Sequence, residues 1–254
     1  MRWFSRSELL LGEAALERLR AARVTVFGLG GVGSFAVEAL ARAGVGHLRV
    51  VDHDVVGSSN LNRQLYALRS TLGQPKAEVA AARVRDINPG CKVDPRATFI
   101  HTDTLPGLLT PRPDVMIDAI DSMACKIALM RTAHEQGIPI ITAMGAGGRT
   151  DSSQLRVGDL SETRLCPLAA RVRKELRKAG ITTGIRCVYS LEPADNKRPA
   201  NPIDIEPHRG PGRQRRPVGT ISYMPAMVGL KVAEEVLRLL LVVPNLEVTS
   251  DLLE

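Results

Sequence analysis

The chain has 254 residues, 44% of them hydrophobic and 24% charged, with a formal net charge of +7. That length and composition fit one large globular domain, or one domain plus an insertion, and exclude a disordered chain. No apolar run is long enough to span a bilayer, Met1 to Arg6 has no signal-peptide core, and the four cysteines (91, 125, 166 and 187) form no C-x-x-C pair. A reducing cytoplasm is therefore expected, without a four-thiolate zinc site, a disulfide framework or a membrane partner.

Ser7 to Arg20 reads as a helix whose apolar positions are Leu9, Leu10, Ala14, Leu16 and Leu19. Val24 to Phe27 reads as a buried strand. It runs at once into Gly28-Leu-Gly30-Gly31-Val-Gly33 and a helix from Ser34 to Ala43, ending at Gly44. Gly28 suits a tight turn, Gly30 lets backbone N–H groups approach a phosphate, and Gly33 lets the helix pack close to the strand. The helix N-terminus then offers free N–H donors to an anion. Leu48 to Asp52 is a second strand, and Asp52 follows Gly33 by 19 residues, where a ribose-binding carboxylate belongs. Strand, glycine turn, helix, strand and acid in this order predict nucleotide binding; the alternative is a glycine turn that only packs a helix on a sheet.

Pro75 starts a helix over Lys76 to Ile87, which stops before Pro89. Val93 to Ile100 is a candidate strand. Asp114 to Asp121 is an apolar strand ending in acids, Met123 to Gln136 a helix and Ile138 to Ala143 a strand. Strands alternating with helices predict an α/β, Rossmann-like, mostly parallel sheet with helices on both faces. Residues 1–148 are expected to form the nucleotide-binding core, and 149–254 to complete the same domain.

After Gly148 the composition changes. Gln154 to Val157 is a candidate strand. Pro167 to Lys178 reads as a helix, with Leu168, Val172 and Leu176 as its apolar stripe and Arg171, Arg173, Lys174, Arg177 and Lys178 around the rest. Glu192 to Gly219 holds six of the sixteen prolines and predicts a mobile loop carrying Arg209, Arg213, Arg215 and Arg216. A last helix is expected from Pro225 to about Leu241. Ser161 to Pro217 contains thirteen Lys and Arg against six Asp and Glu, so this quarter carries the whole excess of positive charge. It predicts a polyanionic partner, against the plainer reading of a solvated basic face.

The segment after Asp52 argues against a dehydrogenase. Asp52-His-Asp54, Ser59-Asn60-Leu-Asn62-Arg63-Gln64 and Gly73-Gln-Pro-Lys76 place cations where a triphosphate would be cleaved, which hydride transfer does not need. Together with Gly28 to Gly33, Gly44-Val-Gly46 and Asp118-Ala-Ile-Asp121-Ser, these motifs resemble the adenylation core of the ubiquitin-activating-enzyme-like (ThiF-type) superfamily. The resemblance implies ATP and magnesium, and activation of a carboxylate as an acyl-adenylate, with an acyl-phosphate as the alternative left open. It implies that Asp52 holds the ribose, that Asn60, Arg63, Gln64 and Lys76 contact the phosphates, and that Asp121 binds magnesium. Gly28, Gly30, Gly31, Gly33 and Asp54 complete the implied nucleotide set, and Arg63, Lys76, Asp121 and Arg6 the catalytic one. Arg6 matches an arginine donated to a neighbouring subunit, which implies a homodimer. Asn60 as a turn residue and Arg63 as a surface charge are the structural alternatives.

Many of these relatives carry paired C-x-x-C motifs and adenylate a Gly-Gly tail, and this chain lacks the motifs. Met144-Gly-Ala-Gly-Gly148, Asp159-Leu-Ser-Glu-Thr163, Pro167 to Arg173, Cys187-Val-Tyr-Ser190 and Pro217 to Pro225 resemble instead the branch acting on threonylcarbamoyladenosine in tRNA. That branch implies ATP-dependent ring closure with net loss of water, and tRNA as the polyanion. The competing readings are a sulfur-carrier adenylyltransferase and a nucleotide-binding scaffold without chemistry. A sulfur-relay protein is a further candidate partner. Ring closure within one nucleotide needs no thioester, so Cys187 is expected to be a buried thiol rather than a nucleophile, and His47 and His53 bystanders.

Overall fold

The computed structural model describes residues 3–195 and 218–241. Seven strands form one sheet: β1 (Arg23–Phe27), β2 (His47–Val51), β3 (Lys92–Arg96), β4 (Val115–Asp118), β5 (Ile140–Ala143), β6 (Leu155–Asp159) and β7 (Arg186–Ser190). Their order is β3-β2-β1-β4-β5-β7-β6. All pairs are parallel except β6 with β7, which is antiparallel. The helices are α1 (Ser5–Leu11), α2 (Glu13–Ala21), α3 (Gly33–Ala43), α4 (Lys76–Ile87), α5 (Leu105–Leu108), α6 (Met123–Glu135), α7 (Pro167–Lys178) and α8 (Tyr223–Leu241).

The central strands read as near-continuous apolar runs because both faces of the sheet are covered. Val24, Val26, Leu48, Val50, Val115 and Ile117 pack into one core with α2, α3, α4 and α8. Phe27, Val51, Met116 and Ile140 pack into a second core with α5, α6 and α7. This is the expected Rossmann-like sheet. The strand order reverses beside β1, so the turns after β1, β2 and β4 open onto one crevice at the carboxyl edge.

Helices α4 and α7 have the expected bounds, and other elements differ in instructive ways. The single helix expected over Ser7 to Arg20 is two helices, broken at Gly12 with φ 80°. Ala15, Leu16 and Leu19 are buried on α2, whereas α1 buries nothing and leaves Leu9 and Leu10 at 84% and 83% exposure. The strand expected over Val93 to Ile100 ends at Arg96; it is an edge strand, which tolerates Pro95 in its register. Strand β6 runs to Asp159 rather than Val157. Helix α8 starts at Tyr223, with Pro225 in its first turn, where a missing N–H costs little. Strand β7 and the short α5 were not anticipated. Most of the expected loop Glu192 to Gly219, including Arg209, Arg213, Arg215 and Arg216, lies outside the described residues.

Candidate active site

The crevice is built around the turn from β1 to α3. Gly28 has φ 89°, and a Cβ there would sit 2.8 Å from the Ala119 carbonyl oxygen, so the turn passes directly against the end of β4. A Cβ on Gly33 would lie 1.8 Å from the Gly28 oxygen, which only glycine permits. Gly30 is open by contrast: among the described residues, only Gln64 Nε2, at 3.7 Å, lies near its Cβ direction. Among the described residues no side chain caps α3, and no acid lies in its first turn, so the positive end of the helix faces the turn. Helix α8 packs behind this turn, with Pro225 against Gly31 and Gly229 against the Val32 carbonyl.

Beside the turn, strand β2 delivers Asp52. One carboxylate oxygen accepts from the Leu29 N–H (2.7 Å) and the other from the Asp54 N–H (2.9 Å). Burial pushes this carboxyl above the usual carboxylate range, against the lowering pull of the nearby Lys76 ammonium. The pair of N–H donors fixes the carboxylate at the mouth of β2, the place expected of a ribose-binding acid.

Lys76 opens α4 but is 5% exposed. Its backbone N–H donates to the Asp54 carbonyl and its Nζ lies 3.0 Å from Asp54 Oδ2, so both ends of the residue are held by one aspartate. Asp54 is half-exposed and also meets His53 Nε2 at 3.3 Å, while the His53 ring stands edge-on to Phe99. His53 therefore orients Asp54.

The turn after β2 carries Asn60, Arg63 and Gln64. Asn60 is buried; its Oδ1 accepts from the Gly57 N–H and its carbonyl from the N–H groups of Arg63 and Gln64. It acts as the turn residue in this conformation. Arg63 Nη1 donates to the Ser59 carbonyl (2.6 Å) and Asn62 Oδ1 (2.9 Å). The main chain of Arg63 lies next to Gly31, and Gln64 next to Gly30, so this turn faces the glycine turn across the crevice.

The opposite wall comes from β4. Asp121 is exposed, three residues after the strand ends. Beneath it lies a network the sequence reading missed. Asp118 and Lys126 are completely buried and pair at 2.6 Å. Lys126 Nζ also donates to the Ala143 carbonyl and to Thr142 Oγ1, Thr142 donates to Asp118, and the Ile120 N–H donates to Asp118 Oδ1. The pair ties the ends of β4 and β5 together and fixes the turn leading to Asp121. Lys126 shares the inward face of α6 with Cys125, Leu129, Met130 and Ala133. A lysine inside an apolar stripe, eight residues after an aspartate at a strand end, was the available signal.

The C-terminal part borders the crevice. Asn62 Nδ2 donates to the Thr220 carbonyl, the Gly148 N–H to the Gly219 carbonyl, and the Tyr223 hydroxyl to the Thr150 carbonyl. The segment entering α8 is thus stitched between the Arg63 turn and the glycine loop after β5. Arg149 is buried under that loop, where it donates to the carbonyls of Gly145 and Glu192.

Arg6 is not brought to this crevice within its own chain. It is exposed on α1, and the neighbouring Phe4 packs on Gly44, at the far end of α3. Eleven helical residues, about 16 Å, separate that end from the glycine turn. The four cysteines are buried free thiols. Burial pushes the Cys187 thiol up to about 12, so it stays protonated at neutral pH.

The ThiF family model matches residues 4–254. The chain belongs to the ThiF family. It is 46% identical to the tRNA threonylcarbamoyladenosine dehydratase of Bacillus subtilis (strain 168), over 74% of each chain. It is 41% identical to the enzyme of the same name from Escherichia coli (strain K12), over 74% of this chain and 73% of that one. The crystal structure of E. coli tRNA N6-threonylcarbamoyladenosine dehydratase in complex with ATP matches this ThiF-family chain with a TM-score of 0.83 at 35% identity, covering 94% of this chain and 93% of that one. The complex with AMP matches with a TM-score of 0.84, covering 94% of each.

Proposed function

We propose that this protein is an ATP-dependent enzyme that cyclises N6-threonylcarbamoyladenosine in tRNA, with net loss of water. One observation carries the reading. A glycine turn, a buried Asp52 and a held Lys76 meet at one edge of a sheet that is similar, over 94% of the chain, to an ATP-bound dehydratase of that name. In this reading Asp52 holds the ribose. The α3 N-terminus, Gly30 and Gly31 approach the phosphates, and Asn60, Arg63, Gln64 and Lys76 contact them.

The threonyl carboxylate attacks the α-phosphorus, and the bond to pyrophosphate breaks. The far end of the carbamoyl group then attacks the acyl carbon, closing a five-membered ring with loss of an N–H proton. AMP leaves with one former carboxylate oxygen, which accounts for the lost water. Arg63 and Lys76 spread the charge of the leaving pyrophosphate, and their cations are worth most in a crevice closed to water. Asp121, a hard oxygen donor at the mouth of β4, fits magnesium, which would neutralise phosphate charge there. Asp54 releases Lys76 to the phosphates by exchanging one anion for another.

The distance between α1 and the crevice favours a homodimer in which Arg6 serves the second copy's site. A cytoplasmic location follows from the tRNA substrate and the free thiols.

Pyrophosphate release from ATP tests the reading. It should require tRNA carrying threonylcarbamoyladenosine. Release driven instead by a carrier protein ending in Gly-Gly would make this a sulfur-carrier adenylyltransferase, and release with neither partner would leave it a nucleotide-binding scaffold.

A further inference from the structure

Helix α7 is amphipathic in an unusual way. Ala169, Val172 and Leu176 are buried in the second core, while Arg171, Lys174, Arg177 and Lys178 are exposed. Arg173 does not belong with those four. Its guanidinium turns inward, donating to the carbonyls of Leu160 and Thr163 and to the Thr163 hydroxyl, so it anchors the turn before the helix. Lys178 is shared with Glu175 at 2.8 Å. Arg171, Lys174 and Arg177 have no hydrogen bond or ion pair among the described residues.

Other exposed arginines, such as Arg18, Arg20, Arg69 and Arg85, also lack a partner among the described residues, but several elsewhere are gathered by carboxylates. Arg42 and Arg83 converge on Glu38, Arg49 and Arg96 on Asp94, and Arg186 and Arg238 on Glu235. Those carboxylates gather cations into structural pairs. On α7 the cations stand three residues apart along one face, where like charges repel. Lys174, Arg177 and Lys178, with the inward-turned Arg173 and Ala170, line an open groove of about 440 Å³, and Arg171 stands one turn before it.

The groove has a defined place relative to the crevice. Arg177 lies beside Asp159 and Ile185, at the entry of β7, so α7 runs against the parallel strands and ends at the edge away from the crevice. It packs alongside α6, which starts two residues after Asp121. A groove there cannot touch a reacting nucleotide in the crevice. It can hold the backbone of a long polyanion whose reacting nucleotide lies further along.

We propose that the exposed face of α7 (Arg171, Lys174, Arg177 and Lys178) is a docking surface for the sugar–phosphate backbone of tRNA, remote from the modified nucleotide. The inference rests on the tRNA-modifying reading above. Contacts made equally in the ground state and the transition state lower KM and leave kcat alone. Phosphate contacts also make binding salt-dependent, each contributing roughly 0.7–0.9 to the slope of log K against log salt.

The test compares wild type, the triple variant Arg171→Gln/Lys174→Gln/Arg177→Gln, and the charge-keeping Arg171→Lys/Arg177→Lys. Binding of an unmodified tRNA transcript is titrated at several salt concentrations. Turnover is measured on tRNA carrying threonylcarbamoyladenosine. The triple variant should lose roughly two units of slope, in keeping with three lost phosphate contacts. Its tRNA KM should rise at least tenfold with kcat and ATP binding unchanged, and the charge-keeping variant should match wild type. A triple variant with the wild-type slope would overturn the inference and give the face to another partner. So would loss of kcat or ATP binding in both variants, which would mark α7 as a purely structural element. A wild type that neither binds nor turns over tRNA would bring down the proposed function itself.

Discussion

Two lysines show how differently the two halves of this molecule use charge. Lys76 and Lys174 both lie in the first eight residues of a 12-residue helix. Lys76 is 5% exposed and held at both ends by Asp54. Lys174 is exposed and unpaired among the described residues. Around Lys76 the chain uses glycines, a buried acid and backbone donors to fix side-chain positions. Around Lys174 it leaves Arg171 and Arg177 in water without a partner among the described residues. A transferring phosphoryl group demands geometry, because donors must already point at the developing charge. A flexible polyanion demands mainly field, which falls off slowly and tolerates mobile side chains. Buried and satisfied charge therefore marks where chemistry is set up, and exposed and unsatisfied charge where a large partner is gathered.

If that contrast is right, the most damaging changes lie beneath the crevice. Lys126→Met leaves the Asp118 carboxylate buried without its cation, which should cost about 3–5 kcal/mol of folding stability. The double variant Asp118→Asn/Lys126→Met should recover much of it. Thermal unfolding of the three proteins measures this, and equal melting points would show that the pair is not a true buried ion pair.

Next come Lys76→Ala and Asp121→Ala. Each should stay folded while losing about 2.7–4 kcal/mol of barrier lowering, a hundredfold or more in kcat. Near-normal turnover in either would remove it from the proposed machinery.

Arg6 sharpens the comparison in another direction, because it is an exposed cation assigned to the geometric half. Inactive Arg6→Ala and Lys76→Ala chains, once mixed and exchanged, should regain activity in heterodimers, where one site of the two holds both intact residues. Exchanged chains without rescue would place Arg6 in its own subunit's service or in none.

A smaller effect concerns the structural carboxylates. Burial would raise Glu38 and Asp94, but the guanidinium groups of Arg83 and Arg42 on the first, and of Arg49 and Arg96 on the second, hold both below their usual ranges. Depressed carboxylates stabilise the fold above their unfolded pKa values of 4.5 and 3.8, and that stability is lost as pH falls further through the lower folded values. Denaturant midpoints should therefore drop below about pH 4.5, and Glu38→Gln should flatten the drop.

The smallest expected effect is that of Cys187→Ala. With its thiol pushed up to about 12, Cys187 should resist alkylation at pH 8, and the variant should keep its turnover with a modest loss of stability. A large loss of kcat without loss of stability would make the thiol a participant.

Much of this molecule was legible from local pattern alone. The alternation of strands and helices, the glycine turn and the position of Asp52 follow from sterics and periodicity within a few residues. So do the bounds of α4 and α7, each opened at or beside a proline. The same local signals misled where packing decides. Leu9 and Leu10 look like a continued apolar stripe, but Gly12 turns α1 away from the core. Only the tertiary structure could place α8 behind the glycine turn, where Pro225 and Gly229 meet Gly31 and Val32 from nearly two hundred residues away. It alone seats Lys126 at the bottom of the crevice wall, inserts β7 between β5 and β6, and turns Arg173 inward while its neighbours stay in water. Periodicity states which face of an element is buried. What that face meets is set by the packing of segments distant in the chain, and in this protein those meetings decide which charges are fixed and which are left exposed.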